Sequence, residues 1–224
     1  MTTPLLLAWS GGKDCALTLQ RLLGDSRWNV EGLLTTTTTQ YDRISIHGVR
    51  RTIVHAQAAR LRLPLIEARI PPKATNAIYE AAFADALGEA RTRTPGVDTI
   101  AFGDLYLADV RAYREQQLAR CGWRGHFPLW GEDTTRLARR FIADGHHAIL
   151  CCVDTQQLDA AFCGHEFDAD LLDELPPSCD PCGENGEFHT CVYAGPLWRE
   201  PLALERRERV LRDGRFQYVD LVEA

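Results

Sequence analysis

The chain has 224 residues, 45% hydrophobic and 25% charged, with a formal net charge of −6. That is enough apolar surface for one full core and a satellite lobe, while the acidic balance and the lack of a long Lys/Arg run disfavour nucleic acid as a partner. Met1-Thr2-Thr3-Pro4 carries no basic stretch, and the apolar run 5–9 is too short for a signal core or a membrane span, so a cytoplasmic protein without membrane attachment is expected. The eight cysteines are expected as free thiols. Cys151-Cys152, for instance, sits in an apolar run ending at Val153, where a thiol packs as a small hydrophobe.

Residues 5–9 predict a buried strand. Ser10-Gly11-Gly12-Lys13-Asp14 follows, and then Cys15, Leu19, Leu22 and Leu23 recur at helical spacing, giving strand, glycine loop and helix. Residues 30–39, rich in β-branched side chains, predict a second strand. A helix over 49–61 leads to a strand over 65–70 that Pro71-Pro72 ends; a long helix over 76–93 is broken by Pro95-Gly96; and 97–102 is a short strand closing at Gly103-Asp104. Strands separated by helices of this length predict right-handed crossovers and an α/β, doubly wound, mainly parallel sheet, with ligands at the carboxyl ends of the strands. Next come a helix over 108–120, a loop over 126–131, a helix over 134–143 and a strand over 148–153. Beyond Asp154 the chain is richer in Pro, Gly and Cys and ends in two β-like stretches, 209–211 and 216–221, joined around Asp213-Gly214. A smaller α+β lobe is expected there.

The chemistry centres on Ser10-Gly11-Gly12-Lys13-Asp14. At a strand-to-helix junction the glycines allow successive backbone N–H groups to converge on an anion beside the helix N-terminus, and Lys13 adds a point charge. Neither common phosphate loop fits: Leu7 stands where G-x-x-x-x-G-K-[ST] needs its first glycine and Asp14 where it needs Ser/Thr, and G-x-G-x-x-G is not matched. An acidic residue after the lysine suits Mg²⁺ held together with pyrophosphate, which makes Asp14 the candidate metal ligand.

This loop resembles the S-G-G-K-D loop of the N-type ATP pyrophosphatases, and three further stretches resemble the diphthine-ammonia ligase-like branch of that superfamily. They are Gly103-Asp104-Leu105, Pro128-Leu129-Trp130-Gly131 with Asp133-Thr134, and Glu184-Asn185-Gly186-Glu187-Phe188-His189-Thr190. The resemblance implies an adenine nucleotide alpha-hydrolase-like fold, with an ATP-binding domain over 1–125 and a smaller substrate-binding lobe over 126–224. It implies ATP and Mg²⁺ as cofactors and a small-molecule or protein-borne carboxylate that is adenylated with loss of pyrophosphate and then attacked by ammonia to give an amide. Ser10, Gly11, Gly12, Lys13, Asp14, Gly103, Asp104 and Arg111 are the nucleotide-side candidates. Glu184, Asn185, Glu187, His189 and, after the second strand, His47 are the substrate-side candidates, with Lys13, Glu187 and His189 carrying catalysis. A histidine suits proton transfer near neutral pH, so Glu187 and His189 could bind an amine-bearing substrate or relieve attacking ammonium of a proton. Asn185 and His189 stand where diphthine ligases carry Gly and Glu, which points to a substrate other than diphthine.

Competing roles are a thiolase that adenylates a tRNA base, drawing on the cysteines, and a nucleotide-binding regulatory module without fast turnover. Cys179, Cys182, His189 and Cys191 supply the ligand types of a zinc site, with a C-x-x-C spacing in the first pair only. Dimerisation is left open by the sequence.

Overall fold

The computed structural model describes residues 2–224. Alternation of side chains along the first strands sets the layers. In β1 (Thr3–Ala8) Leu5 and Leu7 point to one face and Leu6 to the other, and in β2 (Trp28–Thr38) Leu33 and Leu34 divide in the same way. The first face is covered by α1 (Lys13–Leu23) and α2 (Arg51–Leu61), through Leu19, Leu22, Ile53 and Val54. The second is covered by α3 (Asn76–Arg93) and α4 (Ala108–Arg120), through Phe83, Leu87 and Leu118. Each such leucine, taken fully out of water, contributes about 2 kcal/mol.

The sheet is parallel through β4 (Leu65–Ile70), β2, β1, β5 (Thr99–Ala101) and β6 (Arg124–His126). The chain builds β1, β2 and β4 outward in one direction, then returns to place β5 on the other side of β1. This α/β, doubly wound arrangement puts its switch point between β1 and β5, where ligand crevices form. A two-residue strand, β3 (Arg43–Ile44), folds back antiparallel on Thr37 and Thr38, past the last β1 partner of β2 at Leu34.

The C-terminal lobe is an antiparallel sheet of β7 (His147–Asp154), β8 (Phe188–Ala194), β9 (Leu204–Arg212) and β10 (Phe216–Glu223), in the order β8-β7-β10-β9. With it go α5 (Thr134–Ala143), a 3₁₀ turn at Ala160–Phe162 and α6 (Ala169–Glu174). Asp213 and Gly214 both have positive φ (51° and 61°), the two-residue turn whose twist matches its flanking strands. The first face of the parallel sheet and the inner face of this lobe are one hydrophobic cluster, in which Leu7 and Leu19 share a core with Phe141, Ile149 and Val192. Among the described residues no helix is long and apolar enough to cross a membrane.

Expected and observed elements differ chiefly where the signal is not local. The stretch beginning at His126 belongs partly to β6, whose Arg-Gly-His offers no apolar run because it pairs at an edge. The region around Glu184 to Thr190 is a loop only as far as Glu187; from Phe188 it is β8, masked in sequence by Gly183 and Gly186 just before it.

Candidate active site

A cavity of about 420 Å³ opens at the carboxyl ends of β1, β2 and β5. Ser10, Gly12, Lys13, Asp14, His47, Gly103, Asp104, Glu184 and His189 all line it, so residues far apart in sequence meet around one crevice.

The glycine loop is held from behind. Gly11 has φ +85°, and a Cβ there would stand 2.7 Å from Gln57 Oε1, so the turn and its close neighbour both require glycine. Gln57, fully buried, accepts from Trp9 Nε1 (2.8 Å) and donates to the carbonyls of Gly11 (3.1 Å) and Val192 (2.7 Å). Val192 N–H also donates to the Gly11 carbonyl (2.8 Å). Thus Gly11 sits behind the cavity wall and shapes the loop.

Not every loop amide is free for an anion. Lys13 N–H donates to Thr190 Oγ1 at 3.0 Å, and Gly12 N–H leans on Ser10 Oγ at 3.4 Å. The Ser10 and Gly11 amides face the Cys15 sulfur, but the N–H groups of Asp14 and Cys15 have no acceptor among the described residues, so the first turn of α1 retains donors of the kind that bind phosphate. Gly103 explains how the second loop comes so close: a Cβ there would lie 2.9 Å from the Asp14 carbonyl carbon.

The Lys13 ammonium is buried beneath the loop, 2.9 Å from Asp14, donating to the Cys182 carbonyl and lying over the rings of Phe188 (5.7 Å) and Phe167 (5.8 Å). Burial pushes its pKa down, but Asp14 and, more weakly, Glu184 outweigh that and hold it above the ordinary lysine value. The Asp14 carboxyl is pushed up by burial and by the Asp180 and Asp104 carboxylates, against the pull of Lys13. Glu184 accepts from Leu105 N–H (2.8 Å) and Tyr106 N–H (3.4 Å), fastening the loop after β5 to the C-terminal lobe. Burial, with Asp14 nearby, raises its pKa to about 7.

His47 and His189 stack with ring centroids 4.4 Å apart. Burial lowers His47 to about 4, and burial together with His47 and Lys13 takes His189 well below its ordinary value. Both rings are therefore neutral at neutral pH. Burial thus favours the uncharged form of His189 in this setting.

Besides Gly11, three expected residues do not line the cavity. Arg111 pairs with Glu115 (2.8 Å) and lies over Phe127 and Trp130 (4.7 Å to each), which draw its guanidinium out of the lining. Arg114, one turn on, is the arginine that lines it, paired with Asp104 at 3.0 Å and lying over Phe102 at 4.5 Å. Glu187 is buried inside its own loop, accepting from Asp180 N–H (2.9 Å) and Asn185 Nδ2 (3.0 Å). Asn185 is exposed and accepts from the Tyr106 hydroxyl (2.9 Å). Neither Thr35, which lines the cavity with a buried hydroxyl that has no protein partner, nor the apolar wall made by Tyr79, Phe83 and Phe102 carries a local signal in the sequence.

Among the described residues no three His, Cys, Asp or Glu side chains converge so as to hold a metal. The zinc arrangement is not assembled: Cys182 Sγ donates to the Thr134 carbonyl (3.3 Å), Cys179 Sγ points at the Asp180 carbonyl (3.6 Å), and His189 is stacked on His47. Mg²⁺ needs less from the protein, since it keeps waters and phosphate oxygens and takes one or two carboxylates. Asp14 fits that demand. Its side chain is 30% exposed toward the crevice, and the lining carries three carboxylates, Asp14, Asp104 and Glu184, against Lys13 and Arg114. A polyphosphate entering such a lining requires a cation with it.

Comparison with known proteins follows the same two halves. Residues 4–124 match the family described as diphthamide synthase N-terminal domain, and residues 133–220 the diphthamide synthase C-terminal domain. The chain is also similar to the diphthine–ammonia ligase of Schizosaccharomyces pombe, 27% identical over 124 residues, a match that takes in 53% of this chain but 20% of that protein. The glycine loop lies inside the first matched segment and the Glu184–His189 stretch inside the second, so both sides of the crevice carry the likeness. On that basis the chain belongs to the diphthamide synthase family.

Proposed function

We propose that this protein is an ATP-dependent ligase that adenylates a substrate carboxylate, releases pyrophosphate and forms an amide with ammonia. The main support is the crevice at the β1/β5 switch point, where the free first-turn amides of α1, buried Lys13 and partly exposed Asp14 face Glu184 and His189 across about 420 Å³.

In this scheme a carboxylate oxygen attacks the α-phosphorus of ATP, the bond to the β-phosphate oxygen breaks, and pyrophosphate leaves with the electron pair. Ammonia then attacks the acyl carbon, AMP departs, and the nitrogen loses a proton to solvent. The loop amides and the Lys13 charge are fixed before reaction and so stabilise charge that grows on the phosphates without reorganising. Asp14 is the residue that would hold Mg²⁺, which when bound would supply neutralisation of charge on the leaving pyrophosphate. Glu184 ties the loop after β5 to the acceptor side, and the His47–His189 pair, its rings tilted by 37°, offers an uncharged aromatic wall to the acceptor.

Sulfur transfer is less well supported. Two cysteines line the crevice, Cys15 and Cys182, and burial pushes their thiols up to about 11 and about 12, so neither supplies a thiolate at neutral pH. Incubation with Mg-ATP, ammonium and a pool of small carboxylates should yield AMP, pyrophosphate and a product lighter than its parent acid by the difference between OH and NH₂. Slow or absent turnover across the pool, with ATP bound, would instead favour a regulatory module.

A further inference from the structure

We infer that the carboxylate substrate lies in a second cavity beside the first, and that its end away from the reacting carboxylate is zwitterionic, an amino-acid head group carrying both ammonium and carboxylate. This rests on the adenylation chemistry proposed above. The second cavity has a volume of about 580 Å³ and shares Ile44, Ser45 and Ile46 with the nucleotide crevice, so one short stretch of chain is the wall between them. That wall is held in an unusual shape. Ile46, a β-branched residue, has φ +70° and is 71% exposed, and Gly48, at φ +71°, leaves room for the Tyr218 ring, which a Cβ would approach to 2.4 Å. The Tyr218 hydroxyl donates to the Ile46 carbonyl (3.2 Å), and Asp220 accepts from both Arg43 (2.8 Å) and Arg50 (2.9 Å), so β10 pins the wall from the C-terminal lobe. Backbone held this way is found where ligands are clamped.

The charges around the second cavity define its occupant. Arg43 and Asp220 neutralise one another, but Lys73 and Arg212 on one hand and Glu208 and Asp213 on the other line the same space without an ion-pair partner among the described residues. Two cationic and two anionic side chains around one mouth, none within pairing distance of another, suit a ligand that brings one charge of each sign. From there the other end of the molecule reaches past Ile46 to the first cavity, where its carboxylate meets the nucleotide.

Isothermal titration calorimetry on the full chain, saturated with Mg²⁺ and a non-hydrolysable ATP analogue, tests this directly. The probes are L-glutamate and its longer homologue L-α-aminoadipate, against glutarate and adipate, which lack the ammonium, and γ-aminobutyrate and δ-aminovalerate, which lack the second carboxylate. Expected is binding of at least one zwitterionic acid, about tenfold tighter than either of its singly stripped counterparts. Lys73→Glu/Arg212→Glu, a change of two exposed residues, should remove that advantage while leaving affinity for the ATP analogue unchanged. Equal binding by stripped and intact probes, no binding by either zwitterionic acid, or an advantage that survives the double variant overturns the proposal. Failure of the ATP analogue itself to bind would instead overturn the nucleotide site.

Discussion

Lys13 carries its charge where water hardly reaches, and its partner Asp14 is the more exposed of the two. A buried ion pair is costly to break from one side, so Lys13→Ala should lose pyrophosphate release and also about 3 kcal/mol of stability in urea melts. Lys13→Met/Asp14→Asn removes both charges together and should recover most of that stability without recovering activity. Full turnover in the double variant would refute the role given to the ammonium. Glu184 gives a pH signature. Its folded pKa, about 7, lies above the 4.5 of an unperturbed glutamate, so the folded state favours the protonated form. Its stabilising contribution is then fully present below about 4.5 and lost as pH rises through about 7. Glu184→Gln keeps an acceptor for Leu105 N–H and cannot ionise. Thermal melts of the two proteins should therefore diverge between pH 5 and 8 in favour of the glutamine form as pH rises; parallel curves would contradict the buried setting of this carboxyl.

At the scale of elements, the glycine loop depends on a clamp it does not contain. Gln57 on α2 joins the end of β1, the loop and β8, and its loss leaves Trp9 Nε1 and the Val192 carbonyl without partners in a buried place. Gln57→Leu should cost about 3 kcal/mol in stability and weaken Mg-ATP binding. Gly11→Ala, with its Cβ driven onto Gln57, should weaken nucleotide binding about tenfold or more, measured by titration with an ATP analogue. The loop itself was legible in sequence because its ingredients are consecutive: an apolar strand, two glycines, a lysine and an amphipathic helix. The helices at Asn76–Arg93 and Ala108–Arg120 were equally plain, since their period and their Pro/Gly stops are local. Gln57, Thr35 and the Tyr79–Phe83–Phe102 wall were not, because only the folded sheet brings them to the loop. Arg111 was preferred, whereas Arg114 is the one that lines the crevice, as two arginines three apart look alike until the helix is docked. β8 was hidden behind two glycines, and with it went the hydroxyl of Thr190 that takes a loop amide.

For the whole molecule, one hydrophobic cluster unites the first face of the parallel sheet with the antiparallel lobe. A cut near residue 126 would expose that face and strip the loop of its Thr190, Val192 and Cys182 partners. Scanning calorimetry should accordingly show a single transition with calorimetric and van't Hoff enthalpies in agreement, and a fragment over 1–125 should bind ATP analogue weakly or not at all. Two separated transitions would mean that the halves are thermodynamically independent. The clamp on the glycine loop has a further consequence during synthesis. A ribosome that has delivered the strand, glycines and helix of the loop has not yet delivered the Cys182 carbonyl or the Thr190 hydroxyl, which come some 170 residues later. If the proposed nucleotide site is correct, the nascent chain completes it only once residues as far as Thr190 have emerged, and a product truncated short of that point lacks the contacts that shape it.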